Sequence, residues 1–123
     1  WAPGKWFGGR GKIVKNLFNS LTPEQLLICD TTMRPTFWPT PSLMAAAIKK
    51  GFKVIGGSDP LPFNGEEKMV ATYASIISGE FDYELPADSL KKILVNPNAK
   101  VTRCGSRSKL VDWFSRQTKI MGK

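Results

Sequence analysis

Two short apolar runs, Leu26-Leu27-Ile28-Cys29-Asp30 and Phe52-Lys53-Val54-Ile55, start about 26 residues apart with a helical pattern between them, and that spacing constrains the fold most. A continuous apolar run closing on an acid suits a strand buried on both faces. Between the two runs, Thr31 to Pro41 carries three prolines and reads as a long loop. Pro41-Ser42 then opens a helix with Leu43, Met44, Ala47 and Ile48 at helical spacing, and Gly51 supplies its stop. Parallel neighbours need such a crossover, so the segment reads as one βαβ unit.

The pattern extends in both directions. Trp1 to Gly11, with four glycines and a proline, reads as a loop-like N-terminal segment. Ile13, Val14, Leu17 and Phe18 then have helical spacing as far as Asn19. Thr22-Pro23-Glu24-Gln25 carries a hydroxyl cap, a proline at the first helical position and a Gln three residues after the cap, enough for a single turn. After the Phe52 strand, Pro60 and Pro62 break any ladder. Met69, Val70, Tyr73, Ile76 and Ile77 predict a helix from Gly65 to Ser78. A short helix from Asp88 or Ser89 to Leu94, a third strand over Lys100 to Arg103, and a final helix with Leu110, Val111, Phe114 and Ile120 on its inner face complete the reading. The expected fold is a single α/β domain over residues 1–123, with three β/α units and a parallel sheet, like part of a TIM barrel. A three-stranded parallel sheet has open edges, so the chain is expected to form a homo-oligomer that covers them.

Charge is unevenly placed. Of the 18 bases and 10 acids that give +8, residues 1–20 hold four bases and no acid, and residues 100–123 hold seven bases and one acid. The middle of the chain is close to neutral. Two basic ends are a feature of chains that bind polyanions, nucleic acid or a small anionic substrate. Histidine is absent, which removes imidazole acid/base chemistry and His-ligated metals from what the chain does unaided. The two cysteines, Cys29 and Cys104, make no disulfide framework and read as free thiols of a cytoplasmic protein. No apolar run approaches the ~18 residues that cross a bilayer, so no membrane partner is expected. The chain starts on Trp1, so either an upstream piece has been removed or this is the C-terminal part of a longer chain.

Ligands of parallel α/β folds bind beyond the carboxyl ends of the strands. Three polar clusters are expected there: Asp30 with Arg34, Gly57-Ser58-Asp59, and Arg103-Cys104-Gly105-Ser106-Arg107. On adjacent strands, Asp30 and Asp59 form a candidate catalytic pair, one acting as base while the other holds a proton or a metal. The metal, if any, is a divalent ion such as magnesium or manganese on Asp59, which suits oxygen ligands. Glu66 and Glu67 either join that site or answer the positive end of their helix. Arg34, Ser58, Arg103, Ser106 and Arg107 are the candidate substrate-binding residues, with guanidinium forks and backbone N–H groups suited to a phosphate. The Cys104 to Lys109 loop lacks the Gly-Lys-Ser/Thr ending of a Walker loop.

With Phe52 to Ile55 feeding Gly56-Gly57-Ser58-Asp59-Pro60, the sequence resembles the late strands of metal-dependent hydrolase barrels of the amidohydrolase and PHP type. The resemblance spans Leu26 to Ala99. It implies that Asp59 corresponds to the Asp that binds metal or activates water in those enzymes. The chain departs from them in having no histidine ligands and too few residues for eight β/α units. The resemblance therefore implies a partial hydrolase barrel, incomplete for catalysis alone, in which Arg34 steers an anionic substrate. The basic ends support a different reading, a non-enzymatic module that binds nucleic acid or phosphate ligands.

Overall fold

The computed structural model describes residues 2–122; Trp1, which the N-terminal loop assignment includes, and Lys123 lie outside them. A 3-10 turn over Ala2–Trp6 leads directly into α1 (Gly8–Ser20). Helix therefore occupies much of the segment expected to be a loop. Glycine makes this possible at Gly11, where a Cβ would lie 2.8 Å from the Trp6 carbonyl oxygen. With no side chain there, Trp6 folds back against α1 and becomes part of the core.

The βαβ unit is present. Strand β1 (Ile28–Thr31) pairs in parallel with β2 (Val54–Gly57), in a register that places Asp30 opposite Gly56, and α2 (Ser42–Lys49) forms the crossover. The core sits under this unit. Trp6, Phe18, Ile28, Met44, Ala47 and Phe52 are buried together, and the Phe18 and Phe52 rings pack with centroids 5.0 Å apart. Fully burying side chains of this size contributes about 1.5–3 kcal/mol each, which makes this cluster the main anchor of the N-terminal half.

The second half overturns the expected parallel sheet of three β/α units. Where a helix over Gly65 to Ser78 was predicted, there is a 3-10 turn (Glu66–Met69) and then β3 (Tyr73–Ile77). After α3 (Pro86–Val95), β4 (Val101–Gly105) pairs with β3 antiparallel, Tyr73 opposite Gly105 and Ile77 opposite Val101. The result is two separate two-stranded sheets in place of one parallel sheet of three β/α units. The physical reason is visible in the residues. Tyr73, Ile76 and Ile77 fit a helical spacing, but aromatic and β-branched residues also favour a strand when a partner is available. The left-handed Ala71 (φ +61°) ends the preceding turn and leaves Tyr73 free to start one.

The antiparallel ribbon packs beside β2 without a ladder. The Gly56 N–H donates to the Ser75 hydroxyl at 2.7 Å, and a Cβ at Gly56 would meet the Ala74 carbonyl oxygen and the Tyr73 ring, each at 3.0 Å. This contact carries Tyr73 to the end of β1.

The last helix, α4 (Leu110–Met121), is turned the other way from the sequence expectation. It buries Trp113, Arg116 and Gln117, while Leu110, Val111, Phe114 and Ile120 are exposed, Val111 by 78%. Polar groups draw it inward: the Arg116 guanidinium enters a buried ion pair with Glu66, and the Trp113 indole N–H donates to the Met33 carbonyl at 3.0 Å. Among the described residues no helix is long and apolar enough to cross a membrane.

Candidate anion-binding site

Strand β1 alternates, with Ile28 and Asp30 inward and Cys29 outward, so the run is not buried on both faces as expected. Asp30 is consequently only 3% exposed. A buried carboxylate is costly unless it is paired and hydrogen-bonded. The turn that follows β1, closed by Arg34 N–H donating to the Thr31 carbonyl at 3.0 Å, returns a cation to it. Arg34 donates through Nε to Asp30 Oδ1 at 2.7 Å and through Nη2 to Oδ2 at 2.6 Å, the two-pronged geometry in which charge-assisted hydrogen bonds are strongest. The Tyr73 hydroxyl donates to Oδ2 at 3.0 Å, and Arg103 Nη1 stands 3.6 Å from the same oxygen.

Arg107 completes the cluster from the loop after β4. It donates to the carbonyls of Pro35, Thr36 and Trp38, and Arg34 Nη1 also donates to Trp38. Gly105 makes the approach possible. Its φ is +74°, and a Cβ there would lie 2.0 Å from the Thr72 carbonyl oxygen. Ser106 is tied to the same oxygen through its backbone N–H at 2.9 Å.

The electrostatics follow from this geometry. Burial alone would raise the Asp30 carboxyl, but the Arg34 hydrogen bonds and charge, the Tyr73 hydroxyl and Arg107 outweigh it and hold the group below the usual carboxylate range. Burial and the neighbouring Asp30 charge push the Tyr73 phenol up. Burial and the repulsion of Arg34 pull Arg107 below the usual guanidinium value. Arg34 and Arg103 pair with the one carboxylate, Arg107 adds a third guanidinium charge held on backbone carbonyls close enough to be felt by Asp30, and the cluster carries a surplus of positive charge. The Arg103 side chain is 44% exposed, so part of that surplus faces solvent.

The Gly57-Ser58-Asp59 cluster is built differently. The Ser58 hydroxyl accepts from Ala71 N–H at 3.3 Å, and its carbonyl accepts from the Thr32 hydroxyl. Asp59 is exposed, and its φ of +49° lies in the left-handed region. Its carbonyl accepts from Arg116 Nη2 at 2.8 Å. Asp59 borders a cleft of about 430 Å³ beyond the carboxyl ends of β1 and β2.

The structure thus gathers Asp30, Arg34, Arg103 and Arg107 and places Ser58 and Asp59 apart from them. Both Asp30 oxygens are taken by Arg34, and a carboxylate held below its ordinary range is a weaker base than a free one. A divalent metal on Asp59 does not fit the residues present. Among the described residues no three His, Cys, Asp or Glu side chains come together, and the cleft that Asp59 borders is also bordered by Lys5 and Arg10, whose charges oppose a cation. Glu66 instead pairs with Arg116 at 2.9 Å and accepts from Leu61 N–H at 3.0 Å.

Sequence reasoning missed Tyr73, Arg116, Lys5 and Arg10. Tyr73 was hidden by its assignment to a helix. Arg116 had a partial signal, a cation within one turn of Trp113 on the final helix. No family model, no curated protein and no solved structure matches this chain.

Proposed function

We propose that the chain is a non-enzymatic module that binds the phosphates of nucleic acid through the arginine cluster at the end of β1. The observation that carries this reading is the charge count around Asp30, where Arg34, Arg103 and Arg107 outnumber the single carboxylate. Arg34 and Arg107 are held by the chain itself, and the half-exposed Arg103 is the contact residue. Asp30 acts as the organiser that holds like charges together. Net charge of +8 adds long-range attraction. The hydrolase reading calls for a metal-binding carboxylate set that the described residues do not assemble. The test is binding of a fluorescein-labelled single-stranded oligonucleotide by anisotropy. Binding that weakens steeply between about 50 and 200 mM salt supports the module, and no binding at the lower salt refutes it.

A second copy of the chain is the other partner that the structure favours. The outward Leu110, Val111 and Phe114 face of α4 and the open edges of two-stranded sheets both leave surface to cover. Light scattering tests it, and a monomer at every concentration counts against it.

A further inference from the structure

The cleft beyond β1 and β2 is separate from the arginine cluster, and its residues define a different ligand. Its volume, about 430 Å³, is that of a small-molecule site. Lys5 and Arg10 supply its cations. Lys5 is held in place: its ammonium donates to the Cys29 carbonyl at 3.1 Å and sits 5.3 Å from the centre of the Trp6 ring. Arg10 belongs to the first turn of α1, which contains no acid. Asp59 and Thr31 supply acceptor and hydroxyl groups, and none of the ion pairs among the described residues joins Asp59 to Lys5 or Arg10.

Asp59 is also fixed: the buried Arg116 holds its backbone through the Asp59 carbonyl at 2.8 Å. The remaining walls are apolar, from Met33, Leu61 and Ile120. Two cations, a carboxylate and hydroxyl not paired with them, and apolar walls in one cleft match a molecule with a phosphate, several hydroxyls and C–H faces.

We propose that this cleft binds a phosphorylated sugar or polyol, with its phosphate on Lys5 and Arg10 and its hydroxyls on Asp59 and Thr31. The site is independent of the nucleic-acid reading, because it shares no residue with the arginine cluster.

Calorimetry on the full chain with ribose 5-phosphate, inorganic phosphate and ribose tests it. Ribose 5-phosphate is expected to bind at least about tenfold more tightly than either part, and Arg10→Gln to weaken both phosphate-bearing probes by about tenfold. Asp59→Asn is expected to weaken ribose 5-phosphate while leaving inorganic phosphate bound as well or better, since asparagine tolerates the left-handed backbone. Arg103→Ala is expected to change none of these, which separates failure here from failure of the oligonucleotide reading. Ribose 5-phosphate binding no tighter than inorganic phosphate, or binding indifferent to Arg10→Gln in a variant that melts like the parent, overturns the proposal.

Discussion

Arg34 grips Asp30 with two hydrogen bonds of 2.7 and 2.6 Å across only four residues of chain, and both side chains are buried. This pair converts the acid at the end of β1 from a reactive group into a structural one. It is also the point on which Tyr73 and Arg103 converge from the antiparallel ribbon.

The pair sets a pH dependence. The folded-state Asp30 carboxyl lies below its ordinary value, so the stability it contributes is complete above the unfolded value of about 4 and is lost as pH falls through the folded one. Urea titrations at about pH 7 and pH 3 are expected to show Asp30→Asn less stable than the parent by about 3–5 kcal/mol at neutral pH, with the gap narrowing in acid. A gap that does not narrow would show that Asp30 contributes through its shape and not its charge.

The buried Arg116 to Glu66 pair ties α4 to the turn before β3. Glu66→Ala leaves the guanidinium with one fewer acceptor and no countercharge, and is expected to cost about 3–5 kcal/mol in a denaturant titration. Lys68→Ala on the same turn, at an exposed position, is expected to stay within about 0.5 kcal/mol of the parent.

Gly105 and Gly65 both have positive φ, +74° and +88°, but only Gly105 has backbone atoms where a Cβ would go. Gly65→Ala is expected to cost about 1–2 kcal/mol for its conformation alone. Gly105→Ala adds a collision with Thr72 and is expected to cost clearly more by thermal melting. Equal costs would mean that the β3 and β4 junction yields.

The exposed face of α4 makes a prediction of opposite salt sign to oligonucleotide binding. Copies of a chain with net charge +8 repel one another, so self-association through Val111 and Phe114 is expected to increase as salt screens that repulsion. Val111→Lys is expected to hold the chain monomeric by light scattering at high salt.

The βαβ unit was legible because Ile28, Val54, Met44 and Ala47 each carry a local signal that agrees with the tertiary answer, although β2 starts two residues later than Phe52 and Ile48 of the α2 stripe is exposed. The second half was not, because Tyr73, Ile76 and Ile77 satisfy helical and extended spacing at once, and a β4 partner 28 residues away decides between them. The inward turn of α4 was hidden for a related reason. Apolar spacing marks an inner face only when no buried ion pair competes for it, and Glu66 supplies one. Of the candidate site, Asp30, Arg34, Arg103 and Arg107 come together as the sequence reading expected, but by a different route: Arg103 reaches Asp30 from the middle of the antiparallel β4 and not from the end of a parallel strand. Tyr73 could be placed only after the direction of β3 was known.

The surplus positive charge around Asp30 is tested most directly by the salt dependence of oligonucleotide binding to the parent and to Arg103→Ala. The logarithm of the binding constant falls linearly with the logarithm of salt, with a slope proportional to the phosphates engaged. Removing Arg103 is expected to weaken binding and reduce that slope by about 1. An unchanged affinity and slope in a variant that remains folded would contradict the assignment of Arg103 as the contact residue, and with it the proposed role of the arginine cluster.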